Sequence, residues 1–154
     1  LSYKTFEVVW PDEWNALIDA LNELSTSIGL VIGVAKTLEF GYGLYKNVLP
    51  FSGEIDAPYG MLIPVYLNAR VFSCHVLENT LDGTAYVILR KNEEETFMRI
   101  EIPSENIGTN IISTSELIYN PGDRLDFIVD TTDASSGLLK IGSIVCVSFY
   151  VLPP

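Results

Sequence analysis

At 154 residues, 48% of them hydrophobic, the chain is long enough for one domain with a real core plus a small appendage, and too apolar for intrinsic disorder. Its 9 basic residues against 20 acidic ones give a formal net charge of −11, and the basic residues are scattered from Lys4 to Lys140. That pattern disfavours nucleic-acid binding and binding to anionic membranes, both of which need clustered Lys and Arg.

Residues 1–9 (LSYKTFEVV) alternate loosely and suit a short extended lead-in. From Trp10 the apolar residues fall at heptad spacing: Trp10, Trp14, Leu17, Leu21, Leu24, Ile28, Val31 and Ala35. Steps of four and three describe the seam of a helix packed lengthwise against other helices. Pro11 suits a first helical position, and Asp12 and Glu13 complement the positive end of the helix dipole. The helix is expected from Pro11 to Ser25 or Ser27. Beyond it, residues 25–27 and the glycines at 29 and 33 weaken helix, which leaves 28–37 open between helix and first strand. Trp14, Leu17, Leu21, Leu24 and Ile28 are the expected oligomerisation residues.

After Lys36 everything reads as β-strand. The expected strands cover residues 38–45, 61–67, 69–77, 84–90, 97–102, 111–119, 125–130 and 138–152. Turn chemistry separates them, at Asp82-Gly83, at the charged run Lys91–Glu95 and at Asn120-Pro121-Gly122-Asp123. About eight strands at near-regular spacing argue an antiparallel β-sandwich of jelly-roll type. The chain thus divides into a lead-in and helical stem at 1–35 and a β-sandwich head at 36–154. The last strand carries apolar side chains on both faces, as does 84–89. A two-layer sandwich should leave one face wet, so the helix or a neighbouring subunit is expected to cover it.

Candidate chemistry is sparse. His75 is the lone histidine and follows Cys74 directly, so on a strand the two point to opposite faces and cannot act as a nucleophile pair. Two cysteines and one histidine are too few for a closed structural zinc site. Cys74 and Cys146 read as buried free thiols, with a disulfide between facing strands as the alternative. The carboxylates sit mostly in turns, and Asp130 with Asp133 forms a sparse calcium candidate compared with a dedicated loop. No phosphate-binding glycine loop is present. No catalytic residue, metal site or cofactor is expected. Tyr42, Tyr45, Tyr59, Tyr66 and Tyr119 fall near strand ends or loops, where they serve either packing or recognition. No secretory signal or spanning helix is read, and the apolar run at 28–35 is too short to cross a bilayer. A start at Leu1 rather than Met is expected of a processed chain or a piece of a longer one.

Three stretches in order, EWNALIDALN at 13–22, SGEIDAPYGMLIP at 52–64 and YNPGDRLDF at 119–127, resemble the short fibre, spike and tail-appendage proteins of phages and archaeal viruses. The head is broadly similar to the jelly roll of the C1q and tumour-necrosis-factor type, although no Gly-X-Y run precedes it. The resemblance implies a homotrimer on the virion surface. It implies a helical or coiled-coil stem, other virion proteins as partners, and a host receptor or glycan bound through the head. It carries over no catalytic residue. The alternatives are a capsid or decoration protein anchored by its helix, and a jelly-roll module that binds or cleaves glycans.

Overall fold

The computed structural model describes Asp12, residues 15–17, Asp19 and residues 29–152. Among these are ten strands. They are β1 (Gly29–Val34), β2 (Leu38–Gly41), β3 (Tyr45–Val48), β4 (Met61–Leu62), β5 (Leu67–Asn79), β6 (Ala85–Lys91), β7 (Glu94–Ile102), β8 (Gly108–Tyr119), β9 (Arg124–Asp130) and β10 (Leu138–Tyr150). They build two five-stranded antiparallel sheets. In sheet A the order is β1-β10-β5-β8, with β2 also on β10; in sheet B it is β3-β9-β6-β7, with β4 also on β9. The chain passes back and forth between the layers, and the last strand is central to sheet A. The expected β-sandwich is therefore present.

The helix over 11–27 is not supported. Asp12, Asn15, Ala16, Leu17 and Asp19 have helical backbone, and the rest of that segment, including Trp14, Leu21, Leu24 and Ile28, lies outside the described residues. The seam beyond Ile28 needs a correction, because residues 29–34 form strand β1 and Val31 is not helical. Val31, Ile32 and Val34 are β-branched and suit a pleated surface, and glycines at 29 and 33 disfavour helix. Gly33 is required for a second reason: a Cβ there would collide with the carbonyl oxygen of Ile144 on β10. The β region therefore begins before residue 36.

Two other segments divide differently from expectation. The stretch 38–45 breaks at Gly43 (φ 71) into β2 and β3, which belong to different sheets. The stretch 61–67 keeps only Met61–Leu62 as strand before Pro64, a residue with no N–H to give to a ladder.

The core lies between the sheets. Phe72 of β5 stacks on Phe127 of β9 with ring centroids 5.7 Å apart, joining the two layers. On β9 the alternation is clean, with Leu125, Phe127 and Val129 in the core. On β10 the pairing with β5 shifts on either side of Ile141, so Ile141 and Ile144, three residues apart, both face inward. The Tyr119 ring is fully buried, and its hydroxyl donates to the Arg90 carbonyl at 2.9 Å. Burial of this kind provides most of the stability, at roughly 25 cal/mol per Å² of apolar surface removed from water.

Candidate interaction surfaces

The outward faces of the two sheets differ in kind. Sheet B carries a polar lattice. At its centre Arg90 makes a bidentate pair with Asp126, both side chains largely buried. Asn47 donates to the same carboxylate at 3.2 Å and to the Ala57 carbonyl at 2.8 Å, fixing the β3–β4 loop. The bond to Asp126, outweighing burial, raises the Arg90 pKa further. Next to this pair Tyr45 of β3 donates to Glu95 of β7 at 2.5 Å, across β9 and β6. Glu95 also holds Arg99 at 3.2 Å, whose guanidinium lies 3.9 Å over the Tyr86 ring. Ile88 and Ile128, paired in register on this face, are fully buried. The second apolar set expected on β6 therefore belongs to a closed lattice, in which burial and Glu95 push the Tyr45 hydroxyl up to about 12.

The outer face of sheet A is largely apolar along β1 and β10. Rows set by the register run Val31–Val147–Val71–Ser113 and Gly33–Val145–Ser73–Ile111, with Phe149 beside Gly29. Val31 is 58% exposed and Ile111 62%. No charged residue occurs in 29–34 or 143–149. The charges stand at the ends, where Lys140 pairs with Glu39 and Glu78 at one margin and Arg70 lies over the Phe149 ring at the other. A pocket of about 350 Å³ opens beside β1, lined by Val31, Gly33, Val34, Ala35, Phe51 and Val145.

Of the expected oligomerisation residues, Leu17 is half-buried, and Trp14, Leu21, Leu24 and Ile28 lie outside the described residues. His75 and Cys74 do point to opposite faces: Cys74 is in the core, while exposed His75 meets the Thr109 hydroxyl through Nδ1 at 2.9 Å. Cys74 and Cys146 are both free and buried, and burial pushes their thiols up to about 12 and about 11. In the calcium candidate, Asp130 Oδ1 accepts from Thr132 N and Oγ1 within its own turn. Among the described residues no group of three His, Cys, Asp or Glu could hold a metal ion. The turn carboxylates act as clamps. Asp82 accepts from Ser135 N and Oγ and from Ser136 N, which lowers its pKa to about 2. Asp123 accepts from Asn92 and from the Asn120 N–H, and these bonds outweigh burial and lower its pKa.

Sequence reading missed Phe51 and the lattice. Phe51 adopts left-handed backbone (φ 65), is 61% exposed and donates its N–H to Gly33 O at 2.6 Å. A lone aromatic within a loop gives no periodic signal. No protein-family model and no curated protein matches the chain.

Proposed function

We propose that this chain is a non-catalytic head module of a virion fibre or spike, assembled as a homotrimer on a helical stem within residues 1–35 and used to attach to a host surface. The observation that carries the reading is the uncharged apolar outer surface of β1 and β10 in sheet A, set against the closed polar lattice of sheet B. A two-strand apolar surface without a charged residue along β1 and residues 143–149 of β10 supports a surface covered in an assembly. The strand course supports the jelly-roll form of the sandwich, because successive segments alternate between layers and β10 fills the centre of sheet A. The stem rests on the seam through Trp14, Leu17, Leu21, Leu24 and Ile28. With sheet A turned inward, sheet B and the loops are left for a receptor.

The test is mass in solution by light scattering on the purified chain. A trimer supports the stem and head; a monomer overturns the assembly and returns the search to a ligand surface on a single domain.

A further inference from the structure

We infer that the open edge of β1 takes an extended peptide segment of a partner protein. The peptide adds a strand to sheet A, seats one apolar side chain in the pocket beside β1 and brings a carboxylate to Lys36.

The backbone of β1 is the first reason. In an antiparallel ladder, alternate residues turn both N–H and C=O to the same side. Gly33 is turned away from β10, because its carbonyl accepts the Phe51 N–H at 2.6 Å. Val31, two residues earlier, has the same sense, and among the described residues no backbone group outside β10 meets it. A free N–H and C=O side by side on a strand edge fit another extended backbone. The Phe51 bond is already the first rung of such a strand, and the left-handed backbone at Phe51 (φ 65) stops it there. The rung at Val31 is left for a partner.

The other edges are guarded, and β1 is not. Strand β7 carries Glu94, Glu95, Arg99 and Glu101. The pairing of β8 with β5 is broken by a bulge between Ala69 and Val71. Strands β2, β3 and β4 have four residues or fewer. Charge, bulges and short length are the means by which strand edges avoid pairing with other chains. Strand β1 has six residues, no charge, no proline and an unbroken register with β10.

The surroundings of this edge set the chemistry of the peptide. The pocket of about 350 Å³ is lined by Val31, Gly33, Val34, Ala35, Phe51 and Val145, none of them charged. It lies along the path of the added strand and suits one aliphatic side chain, which would also cover the exposed Phe51 ring. Just past β1 stands Lys36, which is exposed and in no ion pair among the described residues; its Nζ reaches only the Ser52 carbonyl, at 3.5 Å. A carboxylate on the peptide, at its C-terminus or on an acidic side chain, supplies the missing partner.

The experiment titrates the full chain into a fluorescein-labelled pentapeptide, TTVTI, with a free carboxylate, and reads anisotropy. Saturable binding is expected. N-methylation of alternate residues removes the donors along one side of the probe at a time; one set should abolish binding and the other retain it. Val31→Pro deletes the edge N–H and leaves the β10 ladder in place. It should bind about tenfold more weakly, with far-UV circular dichroism matching the parent. Lys36→Glu should weaken the acid probe and not its C-terminal amide, and TTVTIE-amide separates a side-chain carboxylate from a terminal one. Amide hydrogen exchange by NMR should find Val31 fast and Leu30 and Ile32 slow, and the probe should slow Val31. No saturable binding, equal binding of both methylated sets, or a Val31 amide protected without the probe overturns the proposal. In that last case, protection that rises with protein concentration assigns the edge to a second copy, and constant protection assigns it to residues 1–28. These readouts do not depend on mass in solution, so the trimeric reading stands or falls separately.

Discussion

Tyr45 and Glu95 stand on opposite edges of sheet B and are joined by one hydrogen bond of 2.5 Å that spans the two strands between them. The bond ties β3 to β7 without a backbone ladder. Replacing Tyr45 with Phe keeps the ring and removes the bond, so a loss of about 0.5–1.5 kcal/mol is expected in urea unfolding. The variant should also alter the alkaline limb. The folded state holds the Tyr45 proton up to about 12, against 10 for the free group. This contribution is fully present below pH 10 and is lost as pH rises toward 12. Tyr45→Phe should lose stability less steeply than the parent over that window.

Arg90 and Asp126 form a largely buried pair. Removing one partner strands the other charge, so Arg90→Ala is expected to cost about 3–5 kcal/mol in a denaturant titration. Arg90→Lys should recover little of this, because an ammonium cannot reproduce the two-pronged contact.

Asp82 governs the loop before β10. Its carboxyl is held at about 2, below the usual 3.8, by bonds from Ser135 and Ser136. A depressed folded pKa gives stability that is present above about pH 3.8 and lost as pH falls toward 2. Asp82→Asn should therefore flatten the acid limb of thermal stability between those values.

Both thiols should be silent in the native state. Cys74 and Cys146 lie in the core with raised pKa values, so the reactive thiolate is scarce and inaccessible. A disulfide-exchange reagent at pH 8 is expected to label neither in buffer and both in guanidinium chloride.

Leu21 sits at the middle of the proposed stem seam. Leu21→Asp is expected to dissociate the oligomer, and light scattering at matched concentration checks it. An unchanged mass counts against a stem-driven assembly.

The sandwich was legible in the sequence where alternation is clean, as on β9, and where turn residues punctuate strands, as at Asn120–Asp123. Residues 29–34 were harder. A four-and-three spacing of apolar residues ran on from the segment before them and masked a strand whose β-branched residues and two glycines argue otherwise. The apolar face of sheet A was partly legible, since Val145, Val147 and Phe149 alternate with an equally apolar inward set. The polar lattice of sheet B was not. Tyr45, Tyr86, Glu95 and Arg99 come from three strands, and only the strand order brings them together. No local pattern distinguishes such residues from ordinary solvated side chains.

The place of β10 sets the order in which the molecule can be made. Strands β1 and β2 pair with β10 alone, so on a ribosome they wait until residues 138–150 have emerged, whereas β5 can first pair with β8. The β1–β10 part of sheet A and its outward apolar surface then form late, after the β5–β8 pair. A nascent chain halted before residue 138 therefore lacks the surface through which it could join, and spoil, an assembly of finished copies.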